Sequence, residues 1–213
     1  MAELKYLLSR ESLESKAPAT AFKELADILF SCYVIRKGDR TYHLTDIEFY
    51  LYDNSHRDII TYPRNCPAGY WFFHASGVDI SFESHINLRE GVPKPILTQE
   101  AFFGGILIRG IEKIVQGGTN VIFDGPMKAM EELFDQFDAF GEVPDFPKLE
   151  SCAPISALIC APTMRHGLER DSAKKVHNIL AYNYSGIEDV TEETLQLEYA
   201  HYLDAKYRYI RSR

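Results

Sequence analysis

The chain is poor in the residues that would mark it as a metal or disulfide protein. Among its 213 residues are four cysteines, Cys32, Cys66, Cys152 and Cys160, and no two have C-x-x-C spacing. None stands beside a histidine at ligand spacing, and the seven histidines are scattered. Zinc ribbons, redox C-x-x-C motifs and disulfide frameworks are thereby disfavoured, and free thiols point to a reducing compartment. No metal and no cofactor is expected. Tryptophan occurs once. No apolar run approaches the ~20 residues that span a bilayer, and charges punctuate Met1 to Glu14 where a signal peptide would be apolar. These features predict a soluble, cytoplasmic protein without a membrane partner. Basic charge is also scarce: 23 Lys and Arg stand against 31 Asp and Glu, for a net charge of −8. That balance argues against a surface coated for phosphate binding.

The deficit is uneven. Residues 131 to 150 carry a net −6, and residues 188 to 204 another −6. The remainder is mildly basic, with four cationic residues between Lys206 and Arg213. A local groove could hold a few phosphates, with weak, strongly salt-dependent affinity.

What is present is ordinary globular material: 46% hydrophobic, 25% charged and 13% aromatic residues. The length suits one domain, 1–213, able to bury its own core. Apolar residues Phe22, Leu25, Ala26, Ile28 and Leu29 share a helical stripe over 19–30, entered after Pro18. Residues 31–37 read as a strand turning at Gly38-Asp39, and 41–52 as the next. Period two places Tyr42, Leu44, Asp46, Glu48, Tyr50 and Tyr52 on one face of the second strand, with His43, Ile47, Phe49 and Leu51 on the other. Residues 53–69 form a loop; 70–73, 78–82 and 104–111 are strands; and 156–160 could be another. Gly125-Pro126 opens a helix with Met130, Leu133, Phe134 and Phe137 on its stripe, and Thr191 caps a later one. A helix, many strands, then segregated helices describe an α+β fold with a curved, mostly antiparallel sheet.

The chemistry centres on Glu48. A carboxylate between aromatic neighbours is unusual within a strand, and burial among rings would favour its taking a proton from water. Tyr50 lies on the same face, His56 follows in a short loop, and Arg109 ends the apolar run Ile106-Leu107-Ile108. An unpaired charge at Arg109 would be costly, so a partner is expected.

Several segments, in order along the chain, resemble the alkyladenine (3-methyladenine, methylpurine) DNA glycosylases. Leu25 to Leu29 resembles the helix before that family's first strand. Thr45-Asp46-Ile47-Glu48-Phe49-Tyr50 resembles its Glu-Thr-Glu-Ala-Tyr strand, with the second Glu on Glu48. Asp53-Asn54-Ser55-His56 and Tyr62-Pro63-Arg64-Asn65 resemble the Ser-His and Thr-Pro-Arg-Asn segments. Leu107-Ile108-Arg109-Gly110-Ile111-Glu112 resembles Leu-Leu-Arg-Ala-Leu-Glu, and Asp124-Gly125-Pro126-Met127-Lys128 resembles Asn-Gly-Pro-Gly-Lys. Arg165-His166-Gly167-Leu168 resembles Arg-x-Gly-Ile/Val, and Tyr207-Arg208-Tyr209-Ile210 the terminal Trp-Arg-Phe-Tyr.

The resemblance implies a single α+β domain of that family's fold acting as a monomeric, monofunctional DNA glycosylase in base excision repair. It implies that Glu48 activates water for attack at C1′ of a flipped nucleotide, with Arg109 binding that water or the 3′ phosphate. Tyr50 and Phe73 would sandwich the base, and His56 would hydrogen-bond it. Arg64, Ser76 and Lys128 would fall on the DNA side. The implied partner is DNA carrying an alkylated or deaminated purine. Departures accompany the matches. The family's wedging Tyr is Ser76 here, its pocket Asn aligns with Glu83, and the second Gly of Gly-Pro-Gly-Lys is Met127. A serine cannot fill the gap left by an extruded base. These departures favour, as the alternative, a relative that binds or hydrolyses a free or single-stranded modified base or nucleoside. On either reading Glu48, Tyr50, His56, Phe73 and Arg109 should converge on one cleft.

Overall fold

A computed structural model describes residues 2–89, 95–135, 140, 145–156 and 159–212. Three helices come first: α1 (Ala2–Leu7), α2 (Arg10–Glu14) and α3 (Pro18–Cys32). The strands β1 (Tyr33–Lys37), β2 (Arg40–Tyr52), β3 (Trp71–His74), β4 (Gly77–Ser81), β5 (Leu88–Arg89), β6 (Ile96–Leu97), β7 (Phe103–Lys113) and β8 (Val121–Asp124) follow. Then come α4 (Pro126–Leu133), β9 (Lys148–Ser151), α5 (Ser172–Tyr182), α6 (Glu192–Leu203) and β10 (Arg208–Ile210). The class is α+β, as the order of signals indicated. One eight-stranded antiparallel sheet runs β3-β4-β7-β2-β1-β9, with β8 added to β7 and β10 to β2. It curls into a half-barrel with the helices set apart from it.

β2 and β7 are the long central strands, and their sequences explain why. β7 reads Gly-Gly-Ile-Leu-Ile-Arg-Gly-Ile, nearly all buried, as a strand covered on both faces must. On one face, Phe22, Leu25, Leu29 and Phe30 of α3 pack on Ile47, Phe49, Leu51, Ile106 and Ile108. Phe22 stacks on Phe49 at 4.7 Å between centroids. The other face is richer in tyrosine: Tyr52, Tyr184, Tyr199 and Tyr202 join Phe103, Ile179 and Leu195 beneath α5 and α6. The site lies on this face.

The faces of β2 depart from strict alternation. Register with β7 shifts between Leu44 and Asp46, and again between Asp46 and Ile47. Thr45 is therefore an extra residue, and the strand changes face across it. Tyr42 and Leu44 sit in the same apolar core as Ile47, Phe49 and Leu51, not on the side of Glu48. Gly110, opposite the bulge, has room for no side chain, since a Cβ there would meet Thr45 Oγ1 at 2.6 Å. The loop over 53–69, the Gly125-Pro126 helix start and the Thr191 cap on Thr194 N are as expected. Phe137 and residues 157–158 lie outside the described residues, though Ile159 bridges to Arg211. Among the described residues no helix is long and apolar enough to cross a membrane.

Candidate functional site

Cross-strand register sets the floor of the site. Glu48 of β2 lies opposite Leu107 of β7, and Leu107 lies opposite Asp79 of β4. Directly opposed residues share a face, so two carboxylates flank Leu107 on the tyrosine-rich side. Strand spacing separates their Cα atoms by roughly 10 Å. Beside this row, Tyr50 lies opposite Gly105, where a Cβ would come within 2.8 Å of Arg64 Nη1.

Above the row is a cavity of about 250 Å³. Its size lies just below the usual range of small-molecule pockets and corresponds to roughly eight waters. Tyr50, Leu107 and Arg109 form its floor, and Tyr62, His74 and Asp79 one wall. The opposing wall comes from the loop His166-Gly167-Leu168 and from Tyr199 of α6.

Glu48 is fully buried, directly behind this surface. Its Oε2 accepts from Tyr50 Oη at 2.8 Å and from Arg109 Nη1 at 3.3 Å. Its Oε1 accepts from the backbone N–H of His166 at 2.8 Å, with Arg208 Nε 3.9 Å away. All three hydrogen-bonding residues line the cavity. The carboxylate thus sits among donors and cations rather than apolar rings. Arg208, opposite Glu48 in β10, binds Asp46 through Nη2 at 2.6 Å and Nε at 3.0 Å. Arg165 stacks 4.7 Å from the Tyr50 ring centre and is hydrogen-bonded to Asp58, both side chains fully buried. Burial, and then the Glu48 charge, pushes the Tyr50 phenol well above its ordinary range. The phenol therefore stays protonated and donates to Glu48.

Asp79 is the other buried carboxylate. Its Oδ1 accepts from His74 Nε2 at 2.9 Å, and its Oδ2 lies 2.7 Å from Arg64 Nη1. That second contact is an ion pair without hydrogen-bond alignment. His74 Nδ1 accepts from Ser76 N at 3.2 Å, which places the ring proton on Nε2. Rings complete the wall: Arg64 lies 3.9 Å over Phe72, and His74 stacks on Tyr62 at 4.6 Å.

Glu48, Tyr50 and Arg109 therefore converge as expected, and Arg64 and Ser76 reach the same cavity. Arg64 is buried against Asp79 rather than held toward solvent, while Ser76 stands exposed at the rim, 3.4 Å from Tyr62 Oη. Four expected residues do not join them. Phe73 alternates to the opposite face of β3 and packs edge-on against Phe134 at 4.7 Å. The register Phe72↔Asp79 places Phe72 and His74 on the cavity side instead. His56 is buried, its Nδ1 on Leu51 O and Nε2 on Tyr207 Oη, both at 2.9 Å. Glu83 is exposed and accepts from Arg10 N at the start of α2. Lys128 is exposed on α4 and does not line the cavity. Asp79, His166 and Tyr199 were not singled out from the sequence. Asp79 has a legible signal, an acid alternating within an apolar strand; His166 occupies the unspecified position of its motif; Tyr199 has none.

No family model matches the chain. It is 30% identical over 131 residues to the uncharacterized protein L759 of Acanthamoeba polyphaga mimivirus. The aligned stretch covers 55% of this chain and 58% of the viral protein, so the chain spans little more than half of that relative. No solved structure matches. Among the described residues no group of three or more His, Cys, Asp or Glu could hold a metal ion.

Proposed function

We propose that this chain is an N-glycosidic hydrolase that removes alkylated or deaminated purines from DNA, with Glu48 as the base that activates water and Arg109 as its partner. One observation carries the reading. The buried Glu48 carboxylate is bonded to Tyr50, Arg109 and His166 N, and those residues are the cavity surface. Cleavage at C1′ builds oxocarbenium-like charge on the sugar, which a nearby carboxylate stabilises. The 3.3 Å Arg109 contact is the longest of the three bonds, and it is the one that must open to admit a water between the two side chains. The Tyr50 ring offers a stacking surface for the extruded base, and the cavity suits a planar ring system rather than a larger group.

A second reading has its own support. Ser76 at the rim offers no aromatic wedge, and Glu48 is wholly covered. Both favour a module that binds or hydrolyses a free or single-stranded modified base or nucleoside. Duplex oligonucleotides, single-stranded oligonucleotides and free nucleosides carrying 1,N6-ethenoadenine, 3-methyladenine or hypoxanthine, each scored for base release and for binding, separate the two. Release from duplex supports the first reading; binding or release confined to single strands or nucleosides supports the second. Neither binding nor release in any arm sinks both.

A further inference from the structure

Among the described residues, the buried polar side-chain atoms at the cavity that lack a hydrogen-bond partner are all donors: Arg64 Nη1, Arg64 Nη2 and Arg109 Nε. The buried acceptors beside them are taken. Asp79 faces Arg64 and His74, and both Glu48 oxygens are hydrogen-bonded. A guanidinium has no acceptor of its own, and a buried donor without a partner is costly. A ligand that brings acceptors therefore suits this cavity better than one that brings donors. We propose that the Arg64 guanidinium reads the O6 and N7 edge of a 6-oxopurine, which makes hypoxanthine-type bases the ligand class and excludes 6-aminopurines. The proposal rests on the reading above only in placing a purine in the cavity.

Strand register puts the guanidinium beside the stacking ring. Tyr50 and Gly105 are directly opposed, with Cα atoms about 5 Å apart. A Cβ at Gly105 would lie 2.8 Å from Arg64 Nη1, so the missing side chain is what admits the guanidinium to the floor at Tyr50. Its plane is held on three sides. Nε donates to Tyr62 O at 3.0 Å, Cζ lies 3.9 Å from the centre of the Phe72 ring, and Asp79 Oδ2 lies 2.7 Å from Nη1 without hydrogen-bond alignment. Nε is committed, while the N–H groups of both terminal nitrogens have no acceptor.

Two terminal N–H groups match O6 and N7, the adjacent acceptors on one edge of a 6-oxopurine. A 6-aminopurine presents an NH₂ group at the same place and sets donor against donor; 3-methyladenine retains that amino group. Charge favours the same class. Asp79 already balances the Arg64 charge, so a neutral oxo group suits the guanidinium better than a phosphate. Arg109 is placed differently: its Nη1 is bound to Glu48 and its Nε lies 3.9 Å from Asp46.

The test is equilibrium dialysis of three neutral bases against the full chain and against Arg64→Lys. The bases are 9-methylhypoxanthine, 9-methyladenine and 9-methyl-7-deazahypoxanthine, in which a C–H replaces N7. Lysine keeps a cation beside Asp79 and removes the planar pair of donors. The unaltered protein should bind 9-methylhypoxanthine ~10- to 100-fold more tightly than either other base, and Arg64→Lys should lose that preference. The deaza comparison needs only the unaltered protein, so it decides the matter even where the variant does not fold. No binding, equal binding of the three bases, a preference for the adenine, or a preference unchanged in folded Arg64→Lys overturns the assignment. Displacement of 9-methylhypoxanthine by an equal concentration of inorganic phosphate also overturns it, by putting the guanidinium on an anion. Base release from oligonucleotides is scored separately. A preference for 9-methylhypoxanthine without release from any oligonucleotide upholds the role of Arg64 and sinks the glycosidase reading. Release of hypoxanthine and 3-methyladenine at equal rates, with no preference in binding, does the reverse.

Discussion

Glu48 and Asp79 are two buried carboxylates in one cross-strand row, on one face, beside one cavity. They differ in what holds them. Asp79 is paired with Arg64 and hydrogen-bonded by His74, which are themselves packed on Phe72 and Tyr62. That arrangement closes on itself and braces a wall. Glu48 is held by Tyr50, Arg109 and a loop N–H, each belonging to a residue that faces the cavity. A ligand that moves any of the three changes the bonding of Glu48. Burial is shared, and so is the cavity, which Arg64, His74 and Asp79 also line; the contrast lies in the partners, two side chains packed on rings at Asp79 against a set at Glu48 that includes a loop N–H.

Substitution separates the two roles. Glu48→Gln keeps the shape and removes the base, so release of a modified purine should fall ~1,000-fold per folded molecule. Its amide also places a donor among donors, at a stability cost of about 1–3 kcal/mol. Base release that persists in Glu48→Gln removes the residue from the mechanism. Asp79→Asn should do the reverse. It leaves Arg64 buried without its counter-charge, for a loss of about 3–5 kcal/mol by urea unfolding, while the folded fraction still releases base. If Asp79→Asn folds normally and is inactive, the assignments of the two carboxylates exchange.

How far the sequence announces this geometry can be judged at the same two positions. The β2 strand, the Glu48 face after the bulge and the charge at Arg109 are legible, because period two and the cost of an unpaired charge act locally. The extra residue at Thr45 carries no local mark; it is required by the close approach of Gly110, more than sixty residues away in sequence. Phe73 and His74 show the same limit. Which of two adjacent aromatic residues faces the cavity depends on the register of β3 against β4, and that register is set by a two-residue turn at Ala75-Ser76. His56 reads as a ligand residue because it follows the strand closely, but its partners, Leu51 O and Tyr207 Oη, include one 151 residues distant. The short N-terminal helices and the edge strands β8, β9 and β10 lack strong periodicity and depend on tertiary pairing, whereas α5 carries an apolar stripe with Val176 and Ile179 buried, a signal the sequence reading passes over.

Smaller changes sharpen the contrast at Glu48 itself. Tyr50→Phe keeps the ring that would stack on a base and deletes one hydrogen bond to Oε2. The expected cost is about 1–2 kcal/mol of stability, from a carboxylate left one donor short, and roughly tenfold in base release. Base affinity measured with a non-cleavable analogue should change little. Affinity lost together with release would mean that the hydroxyl, and not the ring, contacts the ligand.

The mildest expected effect compares the two faces of the sheet. Tyr199 packs on the site side and Tyr209 in the opposite core, and both phenols are pushed up to about 12, chiefly by burial. Nearby Glu169 adds to the shift at Tyr199, and Asp27 at Tyr209. A raised folded-state value means that the folded chain holds the phenol proton more tightly than the unfolded chain, whose tyrosines titrate near ~10. The stabilisation is complete below pH ~10 and is lost as pH climbs toward about 12. Urea midpoints should be flat up to pH ~10 and fall above it, with phenolate absorbance appearing together with unfolding. Tyr199→Phe and Tyr209→Phe should each flatten that fall by a similar amount, because each removes one buried phenol from opposite faces of the same sheet. A fall unchanged by Tyr199→Phe but reduced by Tyr209→Phe would mean that the α5–α6 side opens before the core. The site face would then be the less stable half of the molecule, able to part around a ligand.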